Sequence, residues 1–212
     1  MTLSHIHRYV PGDPDSARAA PNRPVILALH GTGGNEKGLI PLAERVAPGF
    51  GILSPRGRVV ENGANRFFRR IAEGVFDLED LRKRAADLAA FVAEAADGYG
   101  FDPKQVWALG YSNGANMAAA LMILHPGTLA GGFLLRPMIP IQPDAPPDLK
   151  GVRVGLSAGT HDPITPSVYA ERLVEYLERL GASVEATWLE AGHGLTREDV
   201  ETAARFFSPT AR

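Results

Sequence analysis

Short, wholly apolar runs alternate along this chain with longer stretches whose apolar residues recur every three or four positions. Val25-Ile26-Leu27-Ala28-Leu29 is apolar throughout, the pattern of a central parallel strand covered on both faces. Further strands are predicted at 50–53, 106–109, 131–135, 152–157 and 183–189, with a leading strand within 3–10. Helices are predicted at 39–47, 77–96, 115–124, 167–180 and 197–207. The helix from Asp77 is the clearest, with Leu78, Leu81, Ala85, Leu88, Ala89 and Val92 on one stripe. Pro48-Gly49 and Gly181 stand where two of the helices should stop. Residues 11–24 and 140–147 read as loops, and 58–74 as a long irregular segment.

This alternation argues an α/β fold: a mainly parallel central sheet with helices on both faces. No repeat, linker or low-complexity block interrupts it, so residues 1–212 are expected to form a single domain. A chain of 212 residues buries about 70% of the surface its unfolded form exposes, enough for a core without staples.

Charge and cysteine content remove several function classes. The net charge of -2 gives no general basic field, so no nucleic-acid partner is expected. The absence of cysteine excludes disulfides, thiolate metal sites and a cysteine nucleophile, and fits a cytoplasmic location. The first residues lack an apolar signal core and hold Pro11, Gly12 and Pro14. The longest fully apolar run, 117–124, is too short to span a bilayer.

The chemistry concentrates where predicted strands end. Gly110-Tyr111-Ser112-Asn113-Gly114 stands between an apolar strand and a run of strong helix formers, the strand–turn–helix setting that a nucleophile elbow needs. His30-Gly31-Thr32-Gly33-Gly34 follows the first buried strand. It lacks the Gly-Lys-Ser/Thr ending of a phosphate loop and the third glycine of a dinucleotide fingerprint. An oxyanion loop or a plain turn remain. Thr160-His161-Asp162-Pro163 and Gly192-His193-Gly194 follow two later strands. In an open parallel sheet such loops share one rim, where ligands bind.

The order Ser112, Asp162, His193 is nucleophile, acid, base. A serine hydroxyl needs a neighbouring base to become a nucleophile, and a carboxylate to orient that base. Glu190 competes with Asp162 as the acid and His161 with His193 as the base. His30 reads as a brace for its loop. The backbone N–H groups of Thr32 and Asn113 are the candidate oxyanion donors. Phe67, Phe68, Arg69, Ile164 and Leu195 are the candidate substrate contacts. The two phenylalanines read equally well as core plugs. Arg69 and Arg70 read either as a grip on an anionic group or as an ordinary ion-paired surface. His5-x-His7 reads as a solvated strand face, with a metal pair as the minor alternative, and no metal or cofactor is expected.

These motifs resemble the phospholipase/carboxylesterase family of α/β-hydrolases, whose relatives include acyl-protein thioesterases and dienelactone hydrolases. The likeness runs from about Pro24 to Phe207 and is most specific at the elbow. Ser54-Pro55-Arg56-Gly57 with Asn65-Arg66-Phe67-Phe68-Arg69-Arg70 is similar to a bacterial subgroup linked to hydroquinone and quinone stress. The resemblance implies a hydrolase of esters or thioesters without a large lid, often a homodimer. Dienelactone hydrolases usually carry cysteine where Ser112 stands, which points away from a dienelactone substrate. The expected activity is that of a serine carboxylesterase on small acyl or aryl esters. The alternatives are a lysophospholipase or acyl thioesterase and, from another class, a non-catalytic small-molecule-binding protein.

Overall fold

The computed structural model describes residues 3–13, 24–72 and 74–208. In chain order its elements are β1 (His7–Val10), β2 (Val25–Leu29), α1 (Ile40–Val46), β3 (Gly51–Pro55), β4 (Val59–Glu61) and β5 (Ala64–Arg66). There follow β6 (Arg70–Ala72), β7 (Val75–Phe76), α2 (Leu78–Tyr99), a 3₁₀ turn at Pro103–Gln105, β8 (Val106–Tyr111) and α3 (Asn113–Leu124). The chain continues through β9 (Gly131–Leu135), β10 (Arg153–Gly159), α4 (Ser167–Arg179), β11 (Ser183–Leu189) and α5 (Arg197–Phe206). Seven strands form one sheet in the order β1-β3-β2-β8-β9-β10-β11. Within it β1 pairs antiparallel with β3, and every other pairing is parallel.

The apolar runs become central strands because both faces of the sheet are covered. All five residues of β2 are buried. On one face the core takes Leu81, Leu88 and Phe91 from α2, nearly all of α3, and Leu173 and Leu177 from α4. On the other it takes Ala43 and Val46 from α1 and Ala203 and Phe206 from α5. Helix ends follow local chemistry. The Asp77 carboxylate accepts the Asp80 N–H at the start of α2, and Gly100 closes that helix at φ 72°. Thr196 and Asp199 form a reciprocal capping box on α5.

Two expectations change. The segment 58–74 is not irregular: β4–β5 and β6–β7 are two short antiparallel hairpins, turning at Asn62-Gly63 and near Gly74. Strands of two or three residues are too short to show a period. The pair His5 and His7 is not a solvated face. His5 is buried with its ring 4.6 Å from that of Phe91, and His7 packs on the same ring and bonds the Tyr99 hydroxyl. Most of the loop expected at 11–24 lies outside the described residues.

Burial, chiefly, together with the Arg58 guanidinium, lowers the His5 pKa from 6.5 to about 4, while Asp87 partly opposes the shift. The unfolded chain therefore binds a proton here that the folded chain refuses. The stability due to neutral His5 is full above pH 6.5 and is lost as pH falls toward about 4. The unfolding free energy of the wild type is expected to drop between about pH 7 and pH 4.5 by roughly 2 kcal/mol more than that of His5→Phe. Equal pH dependence of the two in urea titrations would refute this.

Candidate active site

Strand register brings the four loops together. Leu29 pairs with Gly110, Tyr111 with Leu135, Leu135 with Ser157, and Gly159 with Leu189. The carboxyl ends of β2, β8, β10 and β11 therefore lie along one rim, and the segments leaving them carry Thr32, Ser112, Asp162 and His193.

Ser112 sits between β8 and α3 at φ 52° and ψ -114°, a left-handed backbone that costs a non-glycine residue on the order of 1–3 kcal/mol. The turn survives because its surroundings fix it. Ser112 N–H donates to the Leu135 carbonyl, and α3 lies so close to β2 that a Cβ on Gly114 would fall 2.0 Å from the Leu29 carbonyl oxygen. The strain lifts the hydroxyl clear of the sheet, and Ser112 Oγ lies 3.0 Å from His193 Nε2. On the far side of the imidazole, His193 Nδ1 lies 2.8 Å from Asp162 Oδ2.

Asp162 is held more firmly than its sequence setting suggests. Its Oδ1 accepts the N–H groups of Ile164 and Thr165, and its Oδ2 accepts the Thr165 hydroxyl as well as the imidazole. Burial raises its pKa, but these hydrogen bonds outweigh burial and hold the carboxyl below its usual 3.8. The signal for Thr165 was present: Asp162-Pro163-Ile164-Thr165 has the spacing of an Asx turn. Of the competitors, His161 is exposed against the Thr160 hydroxyl, and His30 is buried and neutral. One nitrogen of His30 bonds the Gly31 carbonyl and the other accepts the Gly57 N–H, so it braces its loop.

Thr32 and Asn113 face the same cleft as Ser112. Asn113 is the first residue of α3, whose leading N–H groups have no partner within the helix. Asn65-Arg66-Phe67 ties both positions together. Arg66 Nη1 donates to Thr32 Oγ1 at 2.6 Å, Phe67 N–H donates to Asn113 Oδ1 at 2.7 Å, and Asn65 bonds both Gly33 and Gly34. The cleft is shallow and open to solvent, with Phe76, Met138 and Ile164 as its apolar wall.

The expected substrate contacts divide. Ile164 lines this cleft. Phe67 and Phe68 do not: they are buried core plugs, one against the His30 ring and the other against Phe76. Arg69 is turned to Asp77 and Asp80 at the start of α2, and Leu195 stands on the surface outside the cleft lining. Arg66 and Arg70 line the cleft instead.

Sequence reasoning also missed Arg136. Its side chain is fully buried, and it pairs with Asp199 through Nη1–Oδ1 at 2.6 Å and Nη2–Oδ2 at 2.8 Å. Its Nε donates to the Gly192 carbonyl and its Nη2 to the Gly194 carbonyl, while the Tyr111 hydroxyl donates to the carbonyl of His193 between them. Three successive carbonyls of the histidine loop are thereby held. An arginine directly after a buried apolar strand was the available clue.

A mainly parallel sheet of this strand order, with a strained serine between β8 and α3, defines the α/β-hydrolase fold. The profile of the phospholipase/carboxylesterase family matches residues 16–210, and the chain belongs to that family. It is 43% identical over 183 residues to MhqD of Bacillus subtilis (strain 168), covering 86% of this chain and 92% of that one. The crystal structure of the Bacillus cereus carboxylesterase is similar at 45% identity and a TM-score of 0.91, covering 96% of this chain and 93% of its own. A carboxylesterase structure from Mesorhizobium loti is similar at 35% identity and a TM-score of 0.81, covering 92% and 97%. Among the described residues no helix is long and apolar enough to cross a membrane.

Removing one partner of a buried ion pair strands the other charge, at a cost of about 3–5 kcal/mol. Arg136→Met is expected to lose stability on that scale in denaturant unfolding. Adding Asp199→Leu should recover part of the loss, because the stranded carboxylate goes but the loop carbonyls stay without their donor. Full recovery would mean that Arg136 serves only to neutralise Asp199.

Proposed function

We propose that this chain is a single-domain serine carboxylic-ester hydrolase that acts on small acyl or aryl esters through an acyl-enzyme intermediate. The observation that carries the reading is the unbroken hydrogen-bonded line from Asp162 through His193 to Ser112. In this reading Ser112 Oγ attacks the ester carbonyl while His193 Nε2 takes the hydroxyl proton. His193 Nδ1–H stays bonded to Asp162, which fixes the tautomer and offsets the charge of the imidazolium. The former carbonyl oxygen becomes an oxyanion facing the N–H groups of Thr32 and Asn113, each such donor being worth about 3 kcal/mol in the transition state. Collapse breaks the ester C–O bond, and His193 returns the proton to the leaving alcohol. Water, deprotonated by His193, then attacks the acyl carbonyl, releases the acid and restores the Ser112 hydroxyl. The modest, open cleft beside Ser112 supports a short ester over a long acyl chain.

A fluorophosphonate probe is expected to label the wild type and not Ser112→Ala. With 4-nitrophenyl esters, Ser112→Ala and His193→Ala should each lower kcat by roughly a million-fold, and the double variant no further. Asp162→Asn should cost about ten-thousand-fold, because the imidazole then takes the wrong tautomer. Rates that peak at long acyl chains would move the reading to a lysophospholipase or acyl thioesterase. Equal labelling of the wild type and Ser112→Ala would remove the enzyme reading altogether.

A further inference from the structure

Hydrogen-bond donors crowd the cleft beside Ser112. Arg66 and Arg70 line it together with Asn113 and Asn116. Both asparagines have spent their acceptor. Asn113 Oδ1 takes the Phe67 N–H and Asn116 Oδ1 takes the Met138 N–H, so each amide is left with its NH₂ end. Asn113 is 3% exposed, and its Nδ2 is buried without a hydrogen-bond partner among the described residues. Leaving such a donor unmet is costly.

The charges point the same way. Arg70 Nε lies 2.7 Å from Glu61 Oε1, and Arg66 Nε lies 3.5 Å from Glu61 Oε2. Among the described residues, two guanidinium groups therefore share one carboxylate, leaving one positive charge in excess. Arg66 is 4% exposed; burial works against its cation, Glu61 supports it and Arg70 opposes it again. A carboxylate beside the two arginines would relieve that charge excess.

We propose that the hydrolase prefers esters carrying a free carboxylate, which Arg66 and Arg70 hold while Ser112 addresses the ester bond. Such a substrate is a half-ester of a short dicarboxylic acid, or an ester of a small alcohol or phenol that itself bears a carboxylate. The inference rests on the esterase reading above. Charge-assisted pairs of arginine and carboxylate are the geometry that would recognise it.

The test compares kcat/KM for 4-nitrophenyl hydrogen succinate with that for its methyl-capped neutral ester, and 4-acetoxybenzoate with its methyl ester. The first pair puts the carboxylate on the acyl side, the second on the alcohol side. Preference for the anion by roughly ten- to hundred-fold in either pair is expected, and that preference should fall toward unity in Arg70→Gln. Arg66 also holds Thr32, so Arg70, on the exposed hairpin, carries the test. No preference in either pair, or a preference that Arg70→Gln leaves intact, overturns the proposal. Calorimetric titration of monomethyl succinate into Ser112→Ala separates the two readings, because it needs no turnover. Binding that weakens with added salt and with Arg70→Gln supports the carboxylate site even if the esterase reading fails, and absence of binding counts against it.

Discussion

The buried pair of Arg136 and Asp199 is the contact on which the geometry of the rim depends. Arg136 leaves the end of β9, and Asp199 stands in the first turn of α5. Ser157, on β10, joins them by donating its hydroxyl to the Asp199 carboxylate. The same carboxylate accepts the N–H of Thr196 and so caps α5. Burial raises the pKa of Asp199, but the bonds from Arg136 and Ser157 outweigh it and keep the group ionised. With the carboxylate fixed, the guanidinium is fixed, and its two remaining edges hold the carbonyls on either side of His193. The imidazole therefore stands on backbone tied down on both sides, in addition to its own bonds with Ser112 and Asp162.

The rim opposite is fixed by a different device. Ser112 keeps its strained backbone because the glycine-lined approach of α3 to β2 leaves no other path for the chain. The hairpin residues 65–67 then bind the side chains and carbonyls around Thr32 and Asn113, two residues that line the same cleft. In the proposed mechanism, dipoles held in this way act on a developing charge without the cost of turning them first.

What was legible in the sequence was local. The buried strands were legible because a strand covered on both faces must be apolar throughout, as β2 is. The elbow was legible because only glycine fits where α3 meets β2, and the order of Ser112, Asp162 and His193 followed from where strands end. Arg136, Arg66 and Thr165 were not found, because their importance lies in partners far along the chain or in a short turn easily read as plain loop. Phe67-Phe68 and Arg69-Arg70 illustrate the limit most sharply. Adjacent residues in β-like backbone point to opposite sides, so Arg70 reaches the cleft while Arg69 turns to α2, and no count of residue types distinguishes them.

An apolar plug in place of Arg136 and Asp199 would ordinarily be as stable or more so, since a buried ion pair repays its desolvation poorly. Here the comparison is not between an ion pair and a packed hydrophobe alone. The carbonyls of Gly192 and Gly194 diverge from the two sides of one residue, and only a planar group with several N–H donors meets both while remaining bonded to a carboxylate. Lysine, with one nitrogen at the end of a flexible stem, has no second edge to offer. The charge is needed to justify burying such a group, Asp199 is needed to neutralise the charge, and capping α5 gives that carboxylate a second reason to stand where it does. Stability and the placement of His193 thus rest on a single cluster.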